Sequence, residues 1–313
     1  MLFESSALNR QVVRFSRILL VATLLLSCSL LVLAQTTVGT GSITGTVTDP
    51  QDAVVSGAKV AITNTQTGRE ISLTTNAAGA FNSGALSPGT YKVQIAAKGF
   101  NTVSIPLTVQ VGNTATANAK LQLGAESQVV EVAASQVQVN TEQATVQGVV
   151  TANQIENLPI NGRNFLDLAQ LEPGVQIQDG QNFDPTKAGF SSISFGGRFG
   201  RTARINVDGI DISDETVGTT TSNIPASAIA EFQLSQSSLD LSQDLTSSGA
   251  VNVTTKSGTN SLHGDAFGFF RDAGVGGASS PGGANLPPQR SQFGGSVGGP
   301  VIKDKLFFFA DGQ

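Results

Sequence analysis

Asp208, Asp211, Asp214 and Glu215 put four carboxylates within eight residues, a set that could meet a cation or a hydroxyl-rich ligand. A calcium loop wants acidic residues at alternate positions closing on Gly, and the threefold spacing here does not supply that, so a solvated loop is the competing reading. Gly294-Gly295-Ser296-Val297-Gly298 matches the Gly-x-Ser-x-Gly nucleophile elbow, which needs a strand-to-helix turn and a His later in the chain. The single His, His263, precedes Ser296, and it cannot build the two-His-one-Glu set of a zinc peptidase. Lys256-Ser257 lacks the Gly of a phosphate loop, and Gly39-Thr40-Gly41 is followed by Thr44 where the dinucleotide fingerprint wants Gly. No catalytic constellation is left, and the expectation is a non-enzyme without metal or cofactor.

Binding is then the chemistry to look for, and composition narrows its setting. Arg10, Arg14 and Arg17 precede an apolar run from Ile18 to Leu33 ending at Ala34, the pattern of a secretory signal peptide over residues 1–34. A retained anchor is the alternative, and a lipidated Cys28 is disfavoured because the apolar run continues past it. Cys28 is the only cysteine, so the mature chain is expected to hold no disulfide despite its export. Loss of the leader removes three of 18 basic and one of 23 acidic residues, leaving 15 against 22, a net charge of -7 that gives no footing for nucleic acid. Few charges, no Trp and abundant Gly suit an exported, mainly β protein.

Residues 39–123 alternate in short runs. Ile43, Gly45 and Val47 share one face, as do Tyr91, Val93 and Ile95, and Val103, Ile105, Leu107, Val109 and Val111 keep period two over nine residues. Asp49-Pro50-Gln51-Asp52, Asn76-Ala77-Ala78-Gly79 and Ser87-Pro88-Gly89-Thr90 punctuate them, which predicts a small β-sandwich. Residues 124–148 read as a linker with a strand-like core, in which Val129, Val130, Glu131, Val132 and Ala133 could add to a partner's sheet edge or form a last strand of the sandwich.

Residues 149–258 mix short helices and strands, an α+β pattern. Thr151 is placed to cap a helix that Pro159 stops, Phe165, Leu168 and Leu171 predict a second helix after Asn164, and a helical turn is expected over 226–232. Strands are expected at 193–195, 204–207 and 251–255. From 259 to 313 the chain alternates again, as the first strands of an incomplete transmembrane β-barrel do. Phe267, Phe269, Phe293, Phe307, Phe308 and Phe309 are expected to face lipid. Two or three strands cannot close a barrel, so the sequence reads as an N-terminal fragment.

Three segments carry a family resemblance. Gly41-Ser42-Ile43-Thr44-Gly45-Thr46-Val47-Thr48-Asp49, Gly57-Ala58-Lys59-Val60, Asn76-Ala77-Ala78-Gly79-Ala80-Phe81 and Leu86-Ser87-Pro88-Gly89-Thr90-Tyr91 resemble the carboxypeptidase regulatory-like domain, a transthyretin-like, Ig-like β-sandwich. Where that family more often carries Asp-Gly before Phe81, this chain has Ala78-Gly79, one polar contact fewer. Asn157 to Phe165, Leu171-Glu172-Pro173-Gly174-Val175, Phe195-Gly196-Gly197-Arg198, Asn206-Val207-Asp208-Gly209-Ile210, Ile229-Ala230-Glu231-Phe232 and Ser248 to Gly258 look like the plug domain of TonB-dependent receptors. His263 to Phe267, Phe293 to Pro300 and Phe307 to Ala310 look like the barrel onset of the Oar-like subgroup.

The resemblance implies a TonB-dependent outer-membrane receptor that takes up a carbohydrate, a peptide or chelated iron through a plugged barrel. Its partners would be a TonB-type energy-coupling protein on the periplasmic side, outer-membrane lipid, and an extracellular small-molecule or oligomeric substrate. Gln128-Val129-Val130-Glu131-Val132-Ala133-Ala134 resembles the TonB box, with Val-Ala-Ala where Val-Thr-Ala is usual. Arg163, Asp208 and Gly209 would be structural plug residues, and Arg198, Arg201 and Arg204 ion-pair partners of the barrel wall. The alternative is a non-transporting carbohydrate-binding or adhesion protein of the periplasm or cell surface.

Overall fold

The computed structural model describes residues 39–124, 129–131, 147–158, 164–236, 248–271 and 290–313. The expected signal peptide with Cys28, and Arg163, Val132 and Ala133, lie outside the described residues.

Strands β1 (Ser42–Thr48), β4 (Ala80–Asn82), β7 (Thr114–Thr116) and β8 (Ala119–Lys120) form one sheet, and β2 (Lys59–Asn64), β3 (Glu70–Thr74), β5 (Gly89–Ala96), β6 (Thr102–Val109) and β9 (Val129–Glu131) form the other, in the order β3-β2-β5-β6-β9. Alternation does the sorting: the inward residues Ile43, Val47, Val60, Ile62, Val93, Ile95 and Ile105 make a dry core between the sheets while their neighbours face out. Tyr91 is buried yet satisfied, its hydroxyl donating to Ser87 O at 2.8 Å. At the turn before Phe81, Asn76 Oδ1 accepts from Ala78 N at 2.9 Å and Ala80 N at 3.0 Å, so the missing Asp contact is supplied from earlier in the loop.

Within the linker expected over residues 124–148, residues 129–131 form the last strand of the sandwich. Val129 and Val130 pair in parallel with Thr102 and Val103 at the open edge of β6, so this stretch is an edge strand rather than a loose tether. A β-branched run beside an unpaired ladder satisfies both backbones by joining it.

The middle of the chain is built on a sheet ordered β10-β15-β16-β13-β14: β10 (Gln147–Val150), β15 (Ile229–Ser235), β16 (Gly249–Thr255), β13 (Ala203–Val207) and β14 (Ile210–Asp211). Only β13 and β16 run parallel among these pairs. β11 (Val175–Asp179) and β12 (Ser191–Phe195) make a separate hairpin. Helix α1 (Ala152–Asn157) starts where expected, with the Thr151 N–H and hydroxyl both donating to Gln154 Oε1. The second helix, Phe165–Leu171, is 3₁₀; its apolar residues recur every three positions, the period of that tighter turn. The helical stretch expected over 226–232 shortens to Ala226–Ala228, because Ile229 onward is claimed by pairing with β16. One face of the central sheet carries Phe232, Leu234, Val251, Val253 and Ile205 into a second core with Phe165, Leu166 and Ile193.

Strands β17 (His263–Arg271), β18 (Arg290–Ile302) and β19 (Leu306–Gly312) form an antiparallel sheet. Its register overturns the single phenylalanine band. Phe267 stands opposite Gly294, Phe269 opposite Gln292 and Gly298 opposite Phe309, so Phe267, Phe269, Phe307 and Phe309 share a face with His263, Asp265, Ser296 and Asp311. Phe270, Phe293 and Phe308 lie on the other face with Val297, Gly264, Ala266, Gly268, Gly295 and Ala310, and that face has no charged residue over these positions. With a side-chain period of two, consecutive Phe307, Phe308 and Phe309 cannot all point one way.

Candidate functional site

Three of the four carboxylates carry ion pairs, and the fourth, Asp208, is held by neutral donors. Asp208 and Gly209 are the two central residues of the β13–β14 hairpin, at φ +49° and +83°, the positive values an Asp-Gly turn of this kind requires. Asp208 Oδ1 accepts from Thr255 N at 3.0 Å and Oδ2 from the Thr255 hydroxyl at 2.6 Å. Arg204 reaches Asp211 Oδ2 at 3.6 Å and Glu215 Oε1 at 3.2 Å, while Lys187 pairs with Asp214. Asp214 also accepts from Thr216 N at 2.8 Å, and the Lys187 ammonium with these backbone donors holds its carboxyl down to about 2. Arg204 therefore finds partners within the central segment. Among the described residues no group of three or more His, Cys, Asp or Glu could hold a metal ion.

Ser296 sits in the interior of β18, flanked by extended residues, and its hydroxyl donates to Asp265 on β17. The elbow geometry is absent at this serine. His263 Nδ1 lies 2.9 Å from Ser261 O and 3.3 Å from Thr259 Oγ1, beside the start of its own strand.

A site that the sequence reading passed over lies on the other face of the central sheet. Asn206, Asn252 and Gln233 are directly opposite one another on β13, β16 and β15, and all are buried. Their amides form a head-to-tail chain: Asn206 Nδ2 donates to Asn252 Oδ1 at 3.2 Å, and Asn252 Nδ2 to Gln233 Oε1 at 3.4 Å. Gln233 then donates to Gln147 on β10, and Gln147 Nε2 to Asn113 of the sandwich at 2.7 Å. Beside this row Glu231, also buried, accepts the Val111 N–H of the same sandwich loop. Alternation of Glu231, Gln233 and Ser235 with Phe232 and Leu234 was the available signal, because it marks a strand whose second face is polar.

The sandwich has another foothold. Asn260, ahead of β17, donates its N–H to Gln66 O at 2.9 Å and exchanges hydrogen bonds with Asp304 in the β18–β19 turn, Nδ2 to Oδ1 at 2.7 Å and Asp304 N to Oδ1 at 2.9 Å.

The comparisons follow the same chain order. A carboxypeptidase regulatory-like domain matches residues 42–122, and an outer membrane beta barrel domain matches residues 254–313. The TonB-dependent transporter Oar of Myxococcus xanthus is 24% identical over 292 residues, covering 86% of this chain. The chain resembles an Oar-like TonB-dependent outer-membrane receptor. It spans 26% of the length of the Oar relative, about a quarter. Among solved structures, the siderophore receptor PirA from Acinetobacter baumannii is 24% identical with a TM-score of 0.40, covering 52% of this chain and 23% of that one. PirA from Pseudomonas aeruginosa is 19% identical with a TM-score of 0.34, covering 52% and 27%. The curated relative is a transporter rather than an enzyme, and the barrel match supports the outer membrane.

Proposed function

We propose that this chain serves energy-coupled uptake through an outer-membrane barrel, with residues 149–258 as the plug, residues 259–313 as the first wall strands and Val129 to Ala133, once displaced from the edge of β6, as the segment a TonB-type coupling protein engages. The observation that carries the reading is the split of the β17–β19 sheet into an uncharged face of Phe270, Phe293, Val297 and Phe308 and a face bearing His263, Asp265, Ser296 and Asp311. A wall between lipid and a polar lumen needs that division. Phe267 and Phe309 on the polar face are explained locally, since their rings lie over the glycine positions Gly294 and Gly298 and cover backbone those glycines leave bare.

Asp208 and Gly209 act as structural plug residues, and Asp211, Asp214 and Glu215 serve mainly to fix Arg204 and Lys187. The substrate classes are carbohydrate, peptide or chelated iron. The test is the affinity of the purified periplasmic domain of the coupling protein for the chain with and without residues 129–133. Loss of binding on deletion supports the uptake reading; unchanged binding removes the box. Glycan binding by the receptor together with unchanged uptake would favour the adhesion alternative.

A further inference from the structure

The central sheet buries two unlike faces. Its apolar face is closed by its own helices and hairpin, whereas the face carrying Glu231, Gln233, Asn252 and Asn206 is closed by the sandwich loop Gln110 to Asn113. Polar contacts separate at modest cost, because water replaces each hydrogen bond that is lost. Thr254 Oγ1, donating to Gly39 O at 3.3 Å, the Asn260 N–H, donating to Gln66 O at 2.9 Å, and the amide chain to Asn113 are neutral and lose little on hydration. Glu231 differs, because ionisation inside this contact would leave a carboxylate with one backbone donor in place of a hydration shell.

We propose that the sandwich is a releasable cover on the central sheet, held while Glu231 is protonated and freed when that carboxyl ionises. Burial raises the Glu231 carboxyl from 4.5 to about 7, and the Val111 N–H, which favours the ionised form, offsets only part of this. No titratable side chain faces it from the loop Gln110 to Asn113, from β10 or from β16. Lys256, beyond β16, is paired with Glu156 of α1 at 2.7 Å. The direction follows from proton counting. The docked form keeps its proton over a range in which the released form has already lost it, so docking is strongest below about 4.5, weakens as the pH rises towards about 7, and levels off above that. Across that window the docking equilibrium moves by on the order of a hundredfold. The proposal stands apart from the uptake reading, since it concerns only how two parts of this chain hold each other.

The test is pulsed electron resonance on the full chain in detergent, with Cys28→Ser and spin labels at Thr74→Cys in the sandwich and Gln170→Cys in the central segment, both exposed positions. At a pH of about 5 one narrow distance distribution is expected, and at about 8.5 a second, longer population should appear. Glu231→Gln keeps an acceptor for Val111 but cannot ionise, and should stay narrow at both. An unchanged distribution in the unsubstituted protein overturns the proposal without recourse to any Glu231 variant. Separation of Glu231→Gln at the higher pH overturns it as well, by assigning release to another group.

Discussion

Both carboxylate oxygens of Asp208 are committed to Thr255, across the parallel β13–β16 ladder and at a backbone φ of +49°. The side chain therefore stabilises the turn twice, by paying for a left-handed conformation that Asp tolerates and by capping the end of β16. Asp208→Ala should lower stability by about 1–3 kcal/mol, read from the urea midpoint of the full chain. Asp208→Asn, which keeps an acceptor and tolerates the same φ, should cost less; equal losses would show that the acceptor is irrelevant.

The opposed faces of the β17–β19 sheet give a prediction that needs no knowledge of substrate. The chain has no Trp, so Phe293→Trp and Phe267→Trp each introduce a single fluorescent probe. In the reconstituted protein, brominated lipid should quench Trp at 293 strongly and Trp at 267 weakly. Equal quenching would remove the assignment of the Phe293 face to lipid.

Lys187 and Asp214 form a pair whose pH window is low. The Asp214 carboxyl is held below its ordinary 3.8, at about 2, so its contribution is complete above 3.8 and is lost as the pH falls through about 2. Asp214→Asn should flatten the dependence of the thermal midpoint on pH within that window and leave its shape unchanged near neutrality. A parallel acid limb in both proteins would show that the pair contributes nothing there.

Phe165 and Phe232 meet edge to face with ring centroids 5.5 Å apart, both essentially inaccessible to solvent. Phe232→Ala removes one ring from the core beneath the central sheet and should cost about 3–5 kcal/mol. Gln233→Leu, its neighbour on the opposite face, should cost about 1–3 kcal/mol by leaving the Gln147 and Asn252 amides short of a partner. Differential urea unfolding separates the two, and a larger loss at Gln233 would reverse the roles given to the two faces.

Much of the fold was legible because period two is written locally. Val60, Ile62, Val93 and Ile95 announce strands and an inward face without reference to anything distant, and Asp208-Gly209 announces its hairpin in two residues. What pairs with what was not local. The sequence showed that Phe267 and Phe293 each lie opposite small or polar neighbours on their own strands, but only the register, Phe267 beside Gly294, put them on opposite faces of one sheet. Likewise Val129 could be tether or strand, and the free edge of β6 decided. The carboxylates at 208–215 were visible as a cluster, whereas their cations came from Lys187 and Arg204, brought in by chain folding. The sequence by itself thus determined most of the strands and the turns between them. The tertiary structure alone decided the buried contact of Glu231 with Val111, because a carboxyl acquires an unusual proton affinity only when a loop 120 residues away excludes its water.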